Sequence, residues 1–170
     1  ILYELLIDCG RKRAETGGEK VIKADYHVHS HFSGDSKEKP ENIIKYAMSK
    51  GLDTLCFTDH MDYEYWYEPA GMFEVDVPKY FEALLQLKEQ YAGTFNVRIG
   101  IELGLRDEPD LLDSVRERYC TLVNEHPFDF VIGSTHQMVY VDPVYPEFWE
   151  NRTQREGMEM YFTSGLKNIK

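Results

Sequence analysis

The chain has 170 residues, 42% of them hydrophobic and 14% aromatic, which is enough apolar material for one ordinary domain and too much for a disordered chain. With 30 acidic against 19 basic residues the formal charge is −11, a balance that argues against nucleic acid as a partner and predicts a solvated acidic surface. Cys9, Cys56 and Cys120 lie too far apart for a disulfide framework or a zinc knuckle, and are read as reduced thiols of a cytoplasmic protein.

The opening ILYELLIDCG is apolar for only about seven residues, too short for a membrane span and without the flanks of an export signal. RKRAETGGEK at 11–20 is polar and Gly-containing, so residues 1–20 are read as an extension or linker and 21–170 as the folded part. VIKADYHV then reads as a strand, and PENIIKYAMSKG as a short helix with Pro40 in its first turn and Gly51 at its end. DTLCFTDH is a second strand. After the aromatic, acidic loop MDYEYWYEPAGMFEVD comes the helix VPKYFEALLQLKEQYAG, with Tyr80, Leu84, Leu87 and Tyr91 on one face. NVRIGIELG is a third strand, and PDLLDSVRERYCTLVNEH a helix whose stripe is Leu112, Val115, Tyr119 and Leu122. FDFVIGSTHQM is a fourth strand, and TQREGMEMYFTSGLKNIK is helical to the end. Strand and helix alternate as in βαβ units around a parallel sheet, where function gathers at the C-terminal ends of the strands.

Each predicted strand closes in metal-ligand chemistry. His27 and His29 close the first, His60 the second, Glu102 the third and His136 the fourth. Side chains alternate along an extended segment, so His27 and His29 point to one side and can grip one ion. Imidazole nitrogen suits Zn, Mn and Fe, and a carboxylate such as Glu102 can bridge two ions. Asp25 and Asp59 stand beside these candidates and are expected to hold imidazole N–H groups from behind. His31 continues the alternation and is left between the pocket and solvent. His126, before Pro127, is read as a helix-terminal histidine complementing the helix dipole.

Taken in order, DYHVHSHFSGDS, TDH, GIE and GSTH resemble the opening motifs of the PHP family, named after polymerase and histidinol phosphatase. The closest likeness is to its monofunctional histidinol-phosphate phosphatase branch, over about residues 23 to 170. The resemblance implies an α/β fold, a distorted (β/α)7 TIM-like barrel of which about four βα units are present, making 21–170 the N-terminal part of a PHP domain. It implies two or three divalent metal ions (Zn, Mn or Fe). By resemblance His27 and His29 bind the first, Glu102 bridges it to the second, His136 binds the second and His60 serves the third. Asp35 stands where many members have histidine; aspartate can still ligate, with a preference shifted toward harder ions. The family's later histidine and Asp-x-His motif do not occur before Lys170, so the sequence is expected to be part of a longer enzyme.

The implied activity is metal-dependent hydrolysis of a phosphomonoester, L-histidinol phosphate to L-histidinol, in histidine biosynthesis. A metal-bound hydroxide is the expected nucleophile, because no serine or cysteine nucleophile motif is present. The partner is then a small phosphorylated substrate, with no membrane or nucleic acid involved. Arg106 could reach a phosphate or could be a surface arginine paired with Asp107 or Glu108. The aromatics Tyr63, Tyr65, Trp66 and Tyr67 are read as packing over the barrel rim, with a pocket wall as the alternative. Rival functions are a PHP phosphoesterase for another small ester, a metal-dependent amidohydrolase, and an inactive metal-binding fragment. An incomplete barrel leaves a sheet edge uncovered, so self-association is expected.

Overall fold

Continuous apolar runs, rather than alternation, mark strands buried on both faces of a parallel sheet. β2 (Thr54–Phe57, TLCF) is buried along its whole length, and β4 (Asn96–Gly104) is buried from Ile99 onward. These two form the centre of the sheet in the computed structural model, which describes residues 22–66 and 69–169. β1 (Ala24–Val28) pairs with β2, and β5 (Phe130–Ser134) pairs with β4, all parallel. A two-residue β3 (His60–Met61) also lies on β4, with Phe57 opposite Ile99 and His60 opposite Glu102, so the register carries straight across the gap. The second predicted strand is therefore real but interrupted at Thr58 and Asp59. Strands neighbour one another in chain order, β1, β2 with β3, β4, β5, and helices make the crossovers.

α1 (Pro40–Ser49) starts with proline at its first turn, where the missing N–H costs nothing, and is followed by Gly51 at a φ of 83°. α2 (Val77–Gln90) is capped by Asp76, whose carboxylate accepts the Lys79 amide hydrogen bond. Its apolar face buries Tyr80 and Leu84, with Leu87 and Tyr91 packed at the margin. The Tyr80 hydroxyl donates to the Gly100 carbonyl at 3.0 Å, latching this helix to β4. Gly100 has to be glycine, because a Cβ there would lie 2.8 Å from the Phe130 carbonyl oxygen and 2.9 Å from Cys56 Sγ. α3 (Leu112–Glu125) buries Val115, Tyr119 and Leu122. Together with Ile44, Leu55, Phe57, Val97, Ile99 and Ile101 these side chains form one core. Truncating a member such as Leu84 to alanine costs about 2–5 kcal/mol at this kind of site.

Beyond β5 lie a one-turn α4 (Pro146–Trp149) and α5 (Gln154–Ile169). The sequence pattern missed α4 because four residues are too few to show a helical period. β4 runs two residues past Glu102, which therefore sits inside the strand and not at its end. Cys56 is buried and Cys120 exposed, both free, while Cys9, the extension at 1–20 and Tyr67 lie outside the described residues. No helix among the described residues is long and apolar enough to cross a membrane.

Candidate metal centre

Glu102 is the hub. Its side chain is buried at 1% exposure, and its Oε2 lies 3.1 Å from His27 Nε2, 3.0 Å from His29 Nε2 and 3.4 Å from His60 Nδ1. His27 in β1 and His29 just past its end both reach the same carboxylate, as two-residue alternation predicts. The other oxygen, Oε1, lies 3.2 Å from His136 Nε2 and accepts the Ser134 hydroxyl at 2.6 Å. Asp35 Oδ2 stands 2.9 Å from His29 Nδ1 and 3.6 Å from His60 Nε2. All six residues singled out in the sequence, His27, His29, Asp35, His60, Glu102 and His136, therefore converge at one end of the sheet.

Asp62 joins them without having been read from the sequence. Its Oδ2 is 2.7 Å from His136 Nδ1, and its Oδ1 is 3.5 Å from His60 Nδ1. The signal was the same alternation that pairs His27 with His29, since His60 and Asp62 are also two residues apart. Gly104 makes room for it: a Cβ at that position would fall 2.6 Å from the Asp62 carboxylate.

The two carboxylates expected to hold imidazoles from behind do other work. Asp25 accepts the backbone N–H of His27 at 3.1 Å. Asp59 is fully buried, and its Oδ1 accepts the Ser30 and Ser33 amides at 2.7 and 3.1 Å and the Ser33 hydroxyl at 2.9 Å. The Ser30 hydroxyl donates to Oδ2 at 3.0 Å, and Ser33 Oγ in turn accepts the His60 amide at 2.8 Å. Asp59 thereby ties the loop carrying His29 and Asp35 to the start of β3. The strand gap explains the difference, because residues there leave regular alternation and the carboxylate turns to the loop.

The residues fit a divalent cation. His27, His29 and Glu102, then His29, Asp35 and His60, then His60, Glu102 and His136 each offer ligand atoms within 4.8 Å of one another. Ligand atoms around a tetrahedral zinc at about 2.0–2.1 Å sit about 3.3 Å apart, close to the spacings here. His29 Nε2 and His60 Nδ1 are buried and lack a hydrogen bond of good geometry, although Glu102 Oε2 is 3.0 and 3.4 Å away. A shared cation would satisfy nitrogens that crowd one carboxylate in this way. The electrostatics agree. Burial opposes charge on His136, yet hydrogen bonds to Asp62 and Glu102 prevail and raise it to about 10. Burial likewise opposes charge on His29, and Asp35 and Glu102 raise it to about 9. Burial would raise Glu102, but His136, His27 and His29 hold it far below the usual carboxylate range. Protons on imidazoles and a bound cation are alternative ways of balancing these buried carboxylates.

Other candidates resolve differently. Arg106 is no surface residue: it is buried, with Nε on Glu108 at 2.9 Å and Nη1 on the Glu64 carbonyl at 2.8 Å and on Gln137. His31 is exposed with its ring against Phe32, and the C-cap residue His126 stacks on Phe81 at 5.4 Å. Tyr63 stacks on Tyr119 under the Arg118 guanidinium, and Tyr65 packs edge-on to Phe73 with its hydroxyl on Asp142. Tyr63 and Tyr65 therefore pack against the domain, Trp66 is exposed, and none of the three lines the cavity beside the histidines.

The PHP domain family matches residues 25–170. Histidinol-phosphatase from Lactococcus lactis subsp. lactis is 34% identical over 146 residues, covering 85% of this chain and 51% of the relative. A probable histidinol-phosphatase from Clostridium acetobutylicum is 29% identical over 84% of this chain and 50% of its own length. The crystal structure of the Lactococcus histidinol phosphate phosphatase, complexed with zinc, L-histidinol and phosphate, superposes with a TM-score of 0.73 at 33% identity. That superposition covers 85% of this chain and 52% of the other. The chain spans about half the length of the curated relatives it matches. With the motif order, the parallel sheet and the converging ligands all in agreement, this chain belongs to the PHP domain family.

Proposed function

We propose that this chain supplies the first part of the metal centre of a phosphomonoesterase acting on L-histidinol phosphate, within a distorted (β/α)7 barrel of which four βα units are present. The observation that carries the reading is the convergence on Glu102 of imidazoles from β1, β3 and the segment after β5. Its substrate is suggested by the Lactococcus structure, a complex with zinc, L-histidinol and phosphate. His27, His29 and Glu102 would hold one ion, Glu102, His60 and His136 a second, and His29, Asp35 and His60 a third, with zinc favoured by the imidazole-rich donor set. When bound, such ions supply Lewis acidity toward phosphate oxygens and water.

The chain's own residues do the preparation. Ser134 and Asp62 orient Glu102 and His136 by hydrogen bonds, fixing which nitrogen faces the cavity. Asp59 holds the His29 loop in register with His60. The cavity, about 530 Å³, is lined by His27, His29, His60, Glu102 and His136 together with Pro143, Val144, Met158 and Tyr161, and is large enough for a small ester. The test is phosphate release from L-histidinol phosphate by the purified chain with Zn2+ or Mn2+, beside a chelated control. Metal-dependent release supports the reading. Release that persists in the chelator overturns it, and zinc bound without release identifies a metal-holding half site.

A further inference from the structure

One wall of the cavity owes nothing to the candidate ligand groups. Asp142, Pro143 and Val144 come from the loop after β5, and Met158 and Tyr161 from α5. Among the described lining residues the only acids are Glu102 and Asp142, and none is Lys or Arg. A carboxylate repels a phosphate dianion, so Asp142 cannot serve the phosphate half of an ester. For an ester held through its phosphate at the ligand groups, Asp142 would be left to the part the phosphate is attached to.

Asp142 is also held in place. Its Oδ2 accepts the Tyr65 hydroxyl at 2.9 Å, and its Oδ1 accepts the Val144 amide at 2.8 Å. A carboxylate offers about four lone-pair sites, so both oxygens keep capacity for a further donor. Beside it the Tyr161 ring and the Met158 thioether give an apolar surface suited to a flat or aliphatic body. A fixed anion next to an apolar wall, in a cavity also lined by four imidazoles and Glu102 that would hold a cation, selects a molecule with an anionic end, an apolar middle and a cationic group.

Resting on the phosphomonoesterase reading above, we propose that Asp142 is a specificity-determining residue for phosphate monoesters of amino alcohols, receiving the ammonium while Tyr161 and Met158 pack on the body. The test measures binding, so it does not depend on turnover. Calorimetry on the zinc-saturated chain compares L-histidinol, its deamino analogue lacking the ammonium, and inorganic phosphate. The wild-type chain should bind L-histidinol about tenfold or more tightly than the deamino analogue, the worth of a charge-assisted hydrogen bond. In Asp142→Asn that ratio should fall to near one while phosphate affinity is retained or slightly improved. A wild-type ratio near one, or a ratio that survives the substitution, overturns the proposal. Because the wild-type ratio needs no variant, the proposal remains refutable even where Asp142→Asn unfolds. Failure of the zinc-saturated wild type to bind phosphate brings down the phosphomonoesterase reading as well, whereas phosphate binding with a ratio of one removes Asp142 alone.

Discussion

Asp59, in the break between β2 and β3, and Glu102, in β4, are buried carboxylates joined through the backbone by the Glu102 N–H donating to the Asp59 carbonyl at 3.1 Å. They are used in opposite ways. Asp59 is surrounded by neutral donors, the amides and hydroxyls of Ser30 and Ser33, and burial pushes its pKa up. Glu102 is surrounded by imidazoles that hold its pKa down. A carboxylate among fixed neutral donors is a fastener, because amides and hydroxyls hold it without a balancing charge to exchange. One among imidazoles is a socket, because its balancing charge can be delivered as protons or as a cation.

Substituting each member separates fastener from socket. Glu102→Gln should lower zinc affinity by at least about a hundredfold, since even groups that only support a ligand are worth about 10–100-fold. Its fold should survive, because imidazoles that lose the carboxylate shed their protons instead of staying charged in the interior. Competition with a chromophoric chelator reads the affinity, and circular dichroism reads the fold. A Glu102→Gln chain that keeps wild-type zinc affinity would break the contrast outright. Asp59→Ala should do the reverse, leaving buried Ser30 and Ser33 donors unpaired at about 3 kcal/mol in all. For a chain of this size that is a drop in Tm of roughly 6–12 °C, measured in chelator so that metal plays no part. An unchanged Tm would show that the loop is held by something other than the carboxylate.

A smaller effect sharpens the comparison at the edge of the socket. Ser134 donates its hydroxyl to Glu102 Oε1 at 2.6 Å, which marks it as a support of the carboxylate. Ser134→Ala should weaken zinc about tenfold, the lower end for a supporting hydrogen bond, with little change in Tm. A loss as large as that of Glu102→Gln would mean that the hydroxyl is itself a ligand.

Most of the socket was legible in the sequence because parallel-sheet geometry turns strand ends into addresses. His27, His29, His60 and His136 needed only the positions of strands and the two-residue alternation. The fastener was legible as residues but not as a role, because Asp59 sits in the break between β2 and β3, where alternation stops predicting direction. Asp62 was missed although it stands to His60 as His29 stands to His27, since a two-residue strand leaves no pattern to extend. Arg106 shows the same limit from another side. Its burial against Glu108 and Gln137 depends on where the chain folds back after β5, which no local spacing encodes. The ordinary core faces, such as Tyr80 and Leu84 on α2, followed directly from helical periodicity.

The socket reading also fixes the sign of two pH dependences. His29 and His136 are raised to about 9 and about 10, so near neutral pH their nitrogens hold protons that a metal must displace. Zinc affinity should therefore rise with pH, by up to tenfold per unit for each proton released, and level off above about 10. Stability of the chelated chain should run the other way. A histidine whose folded pKa is raised stabilises the fold fully below its ordinary value of 6.5, and that contribution is lost as pH climbs through 9 and 10. Zinc titrations in buffers of different ionisation heat, with thermal melts in chelator over the same range, measure both slopes. Heats that do not depend on the buffer would mean that no proton leaves on binding. The carboxylates would then already be balanced without the imidazoles, and Glu102 would be a fastener like Asp59.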